Sequence, residues 1–198
     1  KGIEEAEALY KSVSKEEVFL NWEEVCTKMK NIKDKTMLGL DIGGSNIRII
    51  ITQNGEILLV QNFSWSPKKF ESWQDYDVIK EVIKFALIRA TLYNLSDLDE
   101  GLRDLKTSVD RLLDEEGIDI LKEIGPDKIR EVNTRAEQIL HKKSIPILPI
   151  DGMGVSYPDV ISENRIVGGI TSKTKGIKKA LGEERYWKEF PEYITSIL

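Results

Sequence analysis

Residues 37–63, MLGLDIGGSNIRIIITQNGEILLVQNF, hold three apolar runs: "MLGLDI", "NIRIIITQ" and "GEILLVQNF". All three are rich in Ile, Val and Leu, the residue types that fit a pleated, half-buried surface. Asn54-Gly55 stands between the second and third runs, and Asn-Gly is a strong hairpin signal because both positions of its tight turn need positive φ. Gly43-Gly44 stands between the first and second. The stretch therefore predicts three antiparallel strands in succession.

The first break carries more chemistry than a turn requires. Backbone approaches a phosphate only where no side chain intervenes, and two glycines at a strand-to-strand turn present their N–H groups unobstructed. Ser45 adds a hydroxyl, and Asp41, near the end of an apolar strand, is a hard oxygen ligand suited to Mg2+, directly or through water. Together these residues are suited to the terminal phosphates of a nucleotide. The alternative is a plain hairpin with an aspartate at its mouth. Two other phosphate loops are excluded: there is no GxxxxGK[ST], and no GxGxxG opening a helix.

Outward from this stretch the texture becomes helical. Leu9, Val13, Val18, Trp22, Val25 and Met29 recur at roughly helical spacing, and Ser14 with Glu17 forms a capping box, so residues 1–35 read as an amino-terminal helical segment. "DYDVIKEVIKFALIRATLYN" places Val78, Val82, Ile83, Ala86, Leu87 and Ala90 on one face of an amphipathic helix expected to lie on the sheet. Residues 96–140 are highly charged, with Leu98, Leu102, Leu105, Val109 and Leu112 stepping by four and three. They are read as a helical insertion folded against its own chain, with a homodimer contact as the alternative; Gly125-Pro126 divides it from another helix. Strand character returns in "IPILPIDGMGVSYPDVI", followed by a turn at 162–164 and the short strand "RIVGG". From about Ile177 the tail is polar and helical, with Tyr186, Trp187 and Phe190 as burial candidates.

Composition bounds the function. The 198 residues are 40% hydrophobic and 32% charged, as in a globular protein, and the net charge of -5 argues against a general nucleic-acid binder. The single cysteine, Cys26, cannot form an internal disulfide, and no Cys/His spacing suggests a metal site. His141 lies beside two lysines and reads as a solvated loop residue. No secretory signal or bilayer-spanning apolar run is evident, so a cytoplasmic location is expected. The chain opens on Lys-Gly rather than Met, as a piece of a longer protein would.

"LGLDIGGSNIRIII" resembles the first phosphate motif of the actin-like ATPase and sugar kinase superfamily. Asn46 and Arg48 make it similar to the hexokinase and glucokinase version, usually Asp-Leu-Gly-Gly-Thr-Asn-Phe-Arg. Kinases of the ROK group, the second choice, share the Asp-x-Gly-Gly start but usually carry lysine after the hydroxyl residue. "MGVSYPDV" (153–160) resembles the hexokinase segment Leu-Gly-Phe-Thr-Phe-Ser-Phe-Pro, though one residue shorter between glycine and proline, and "TSKTKGI" (171–177) resembles Trp-Thr-Lys-Gly-Phe.

The resemblance implies an α/β fold of the ribonuclease H-like (actin-like ATPase) type. Residues 36–198 would be its amino-terminal lobe, a mixed sheet in which a parallel strand near 146–156 joins the three antiparallel ones, with flanking helices and the insertion at 96–140. It implies ATP and Mg2+, with Asp41 serving the metal and Gly43, Gly44, Ser45, Asn46 and Arg48 the nucleotide phosphates. Ser156, Thr174 and Lys175 would contact a hexose-like sugar. The family's catalytic aspartate, in an Asn-Asp motif after the lysine-glycine step, has no counterpart here, since no Asn-Asp pair occurs in the sequence. Asp151 and Asp159 read as turn formers, not bases. The expectation is a sugar kinase lobe inactive by itself; a sugar- or nucleotide-sensing regulatory domain and a scaffold that merely kept the hairpin are the alternatives.

Overall fold

The computed structural model describes residues 34–65, 77–114, 126–156, 160–162 and 165–168. Strands β1 (Thr36–Ile42), β2 (Asn46–Gln53) and β3 (Glu56–Ser64) form the expected antiparallel meander. The β2–β3 turn is made by Asn54 (φ 56°) and Gly55 (φ 82°), both left-handed as the Asn-Gly signal requires. Strand β4 (Gly152–Ser156) adds beside β1 in parallel, giving a four-stranded mixed sheet of order β3-β2-β1-β4. Strands β5 (Val160–Ser162) and β6 (Arg165–Gly168) pair antiparallel as a separate two-stranded unit; residues 163 and 164 of the turn read there lie outside the described residues.

Side-chain alternation gives the sheet two unlike faces. Leu38, Leu40, Ile42, Ile47, Ile49, Ile51, Leu59 and Phe63 are buried on one face. Helix α1 (Asp77–Asn94) covers that face, packing on β2 and β3. Phe63 of β3 meets Phe85 of α1 edge to face, with ring centroids 6.1 Å apart, a geometry favoured by the aromatic quadrupole. The opposite face carries Asp41, Arg48 and the exposed Ile50, Ile57 and Val60. A bulge between Ile51 and Thr52 resets the β2–β3 register, so that Ile51 faces Leu59 while Thr52 faces Ile57.

Helix α1 differs from its expected amphipathic character. Val78, Val82, Ile83, Ala86 and Ala90 are buried as read, but so are Ile79, Glu81, Phe85, Ile88, Thr91 and Leu92. The cause is the insertion, whose helices α2 (Glu100–Asp114) and α3 (Pro126–Lys142) cover the side of α1 turned away from the sheet. Leu102, Leu105 and Val109 of α2 and Ile129, Ala136 and Leu140 of α3 join the same core as the sheet. The apolar seam thus folds against its own chain, so the homodimer alternative cannot draw on those three leucine and valine side chains. Pro126 opens α3, where its missing N–H is no loss. His141 is exposed as expected, although it belongs to the last turn of α3 rather than to a loop.

Polar contacts hold the layers in register. Glu81 on α1 accepts hydrogen bonds from Asn133 Nδ2 (2.8 Å) and Arg130 Nε (3.2 Å) of α3. Asp99 caps α2 through the Leu102 N–H at 3.0 Å and pairs with Lys143 just beyond α3. The parallel strand begins later than its apolar pattern predicted: residues 145–151 are irregular, and regular pairing starts at Gly152. Pro146 and Pro149 explain this, because proline has no N–H to give a ladder. That segment is instead held by Thr91 Oγ1, which accepts the Leu148 N–H at 2.8 Å. The helical reading of residues 1–33, the tail features Tyr186, Trp187 and Phe190, and Asp159 lie outside the described residues.

Candidate functional site

Strands β1 and β4 run parallel, so their carboxyl ends reach the same edge of the sheet, where open α/β sheets form ligand crevices. The register sets Ser156 beside Asp41, Asp41 beside Arg48, and Arg48 beside Asn62, one continuous row across all four strands. Residues facing one another in register share a face and lie within side-chain reach. Ser156 is exposed, and Asp41 and Arg48 keep 45% and 59% of their side-chain surface. Arg48 Nη1 lies 3.7 Å from Asp41 Oδ2. The aspartate and the serine, 115 positions apart in sequence, are therefore neighbours on the open face.

The turn from β1 to β2 lies at this edge. Gly43 N–H donates to the Asn46 carbonyl at 2.8 Å, closing a loop whose tip is Gly44-Ser45. A Cβ on Gly43 would stand 3.0 Å from that same carbonyl oxygen, so glycine is needed here for close approach. Positive φ is confined to Asn54, Gly55 and Ser144 among the described residues, so left-handed backbone is not the reason. Ser45 is exposed, while Gly43, Gly44 and Asn46 are half-buried. Among the described residues, the Gly44 and Ser45 N–H groups have no hydrogen-bond partner.

Two residues of this region were not singled out from the sequence. Trp65, buried just beyond β3, donates its indole N–H to the Gly43 carbonyl at 2.7 Å and its backbone N–H to the Ser45 carbonyl at 3.0 Å. Its aromatic character signalled burial, but nothing in "SWSPKKF" signalled a hydrogen bond reaching back 22 positions. Asn62 completes the cross-strand row, and its buried Oδ1 lacks a hydrogen-bond partner among the described residues. Only the strand register makes it a neighbour of Arg48.

Asp151 sits at the other end of β4. Its carboxylate accepts the Thr36 N–H at 2.8 Å and its own N–H donates to the Thr36 carbonyl at 2.8 Å, which ties β4 to the start of β1. These contacts reach across to β1 rather than closing a local turn, so they differ from the turn-forming role read from the sequence. Thr174 and Lys175 lie outside the described residues, so no distance relates them to the edge.

No group of three His, Cys, Asp or Glu among the described residues is arranged to hold a metal ion. Asp41 alone fits Mg2+ that arrives with a phosphate ligand and keeps several waters, the usual mode for this ion at nucleotide sites. The Arg48 guanidinium beside it disfavours a free divalent cation. A separate cavity of about 280 Å3 lies in the helical layer between Lys80 and Lys84 of α1, Glu137 of α3 and Leu148 and Ile150. Lys84 is paired with Glu137 at 3.1 Å, and the cavity lacks a convergent set of catalytic groups. The sheet edge is the better candidate. No helix of the described residues is long and apolar enough to cross a membrane. Comparison of the chain with models of protein families, with curated proteins and with solved structures finds no match.

Proposed function

We propose that this chain is the phosphate-gripping lobe of an ATP-dependent kinase for a hexose-like sugar, with a ribonuclease H-like fold. Three antiparallel strands followed by a parallel fourth beside the first support that fold assignment. The observation that carries the functional reading is the register of Ser156 on Asp41, beside a turn whose Gly44 and Ser45 amides are unpartnered among the described residues. Phosphoryl transfer depends chiefly on positioning and on neutralising charge, and adjacent sites for a metal-bound phosphate and a sugar hydroxyl meet the first need.

The roles follow from the residue types. Gly44 and Ser45 offer N–H donors, and Ser45 also a hydroxyl, to the terminal phosphates, while Gly43 allows the close turn and Asn46 closes it. Asp41 would hold Mg2+, directly or through water, and the ion would supply neutralisation of phosphate charge. Arg48, 3.7 Å from Asp41, would offer its guanidinium to phosphate oxygens. Ser156 hydrogen-bonds a sugar hydroxyl, with Thr174 and Lys175 completing the sugar contacts. Asp151, engaged with Thr36 at the far end of its strand, is not the base.

The test is hexose-dependent ADP release by the intact protein, together with calorimetric titration of the 198-residue chain with MgATP. Asp41→Ala and Ser45→Ala should each weaken nucleotide binding while leaving the melting temperature unchanged, and Ser156→Ala should raise the sugar concentration needed for half-maximal rate. Unaltered nucleotide binding in both turn variants would reduce the hairpin to scaffold. One other reading is a regulatory domain that senses sugar or nucleotide without turnover, since the superfamily that the sequence resembles includes non-enzymatic members. Binding of both ligands with no ADP release from the intact protein would select it.

A further inference from the structure

Trp65 makes a pair of contacts that decide where the turn amides point. Its indole N–H occupies the Gly43 carbonyl at 2.7 Å, and its backbone N–H occupies the Ser45 carbonyl at 3.0 Å. The Gly43 carbonyl and the Gly44 N–H belong to one peptide unit, which is planar and trans, so the two groups point in opposite directions. A carbonyl drawn toward a core tryptophan therefore turns the Gly44 N–H away from the core. The same logic ties the Ser45 carbonyl to the direction of the Asn46 N–H. Trp65 is only 4% exposed and belongs to the main hydrophobic cluster, so the anchor is rigid. Donation to the carbonyl also polarises the peptide unit and strengthens the Gly44 N–H as a donor.

We propose that Trp65 is the positioning residue of the phosphate site, its indole N–H orienting the Gly43–Gly44 peptide so that the Gly44 amide faces an incoming phosphate. This rests on the reading of the turn as a phosphate grip. Trp65 does not touch the ligand; it acts through the peptide it holds. Gly43 contributes by having both backbone polar groups engaged within the protein, one by Asn46 and one by Trp65.

The probe is magnesium tripolyphosphate, which presents the terminal phosphates without adenosine. Its affinity for the full chain is measured by calorimetry, and the Gly44 amide resonance is followed by NMR with and without it. Trp65→Phe keeps an aromatic ring in the core and removes the donor. Replacement by benzothienylalanine, whose sulfur stands where the indole N–H was, keeps the full bicyclic shape and serves if the Phe variant unfolds. The expected result is an affinity loss of about tenfold, the measure of one hydrogen bond to a charged group. The Gly44 resonance should also move in the ligand-free benzothienylalanine variant, which keeps a bicyclic aromatic ring over the peptide and loses only the donor. Tight binding by the unsubstituted chain and equal binding by both variants overturns the positioning role alone. Absence of tripolyphosphate binding by the unsubstituted chain overturns the phosphate grip, and the positioning role with it.

Discussion

Asn54 and Gly55 turn β2 into β3 with two left-handed residues and nothing within 4 Å of where a Gly55 Cβ would be. Gly43, Gly44 and Ser45 turn β1 into β2 without a left-handed residue, closed by the Gly43-to-Asn46 hydrogen bond and held from below by Trp65. The β2–β3 turn is shaped chiefly by the conformational preferences of its own two residues. The other depends on a carbonyl 3.0 Å from a missing Cβ and on an indole donated from beyond β3. The lesson is that two glycine-containing hairpins in one sheet can be made for different reasons, left-handed backbone in one and close approach to a carbonyl with an indole anchor in the other.

The contrast can be broken most severely at Trp65. Trp65→Ala should cost about 3–5 kcal/mol in urea unfolding, as for other large-to-small aromatic substitutions in a core. A loss under about 1 kcal/mol would show that the first turn stands without its anchor. Next in size, Gly43→Ala should destabilise by about 1–3 kcal/mol, since a backbone carbonyl cannot yield as a side chain would. It should also abolish measurable tripolyphosphate binding.

Gly55→Ala places an L side chain at φ 82° and should cost about 1–2 kcal/mol, with tripolyphosphate affinity unchanged. Equal effects of the Gly43 and Gly55 substitutions on affinity would erase the distinction between the turns. Arg48→Met removes a partly exposed ion pair and should move stability by no more than about 1 kcal/mol. Free Mg2+ should then bind Asp41 more readily, read as a smaller magnesium requirement in the calorimetric titration.

The smallest effect is expected far from both turns. The hydrogen bond from Lys143, with help from the Leu102 N–H, holds the Asp99 carboxyl below its ordinary value of 3.8. Because the folded-state value is depressed, this contribution is fully present above about 4, the usual range for an unfolded aspartate, and fades as pH falls through the lower folded value. Asp99→Asn should therefore leave a flatter acid limb in a plot of unfolding midpoint against pH. An unchanged limb would assign the acid sensitivity to other carboxylates.

Much of the sheet was legible because strand periodicity and Asn-Gly chemistry are local. Alternating Leu38, Leu40 and Ile42 and the Asn54-Gly55 pair predict a meander without reference to distant residues. Helix α1 was only partly legible: one apolar face could be read, but its burial on further sides comes from α2 and α3, whose docking no window of α1 records. The start of β4 was misread because apolar content in "IPILPI" outweighed the missing N–H groups of Pro146 and Pro149, which forbid an early ladder. At the site, Asp41 and the glycine pair stood out by residue type alone. Trp65 and Asn62 did not, since their roles are set by direction and register.

The amino-acid sequence by itself determined the three leading strands, the Asn54-Gly55 turn and the residue types gathered around positions 41–48, because propensity, alternation and turn preference act between near neighbours. Tertiary structure alone decided that Ser156 stands beside Asp41 and that an indole from the end of β3 holds the carbonyl of Gly43. Both depend on chain segments meeting across a sheet, and a hydrogen bond between residues far apart in sequence leaves no periodic trace in either of them.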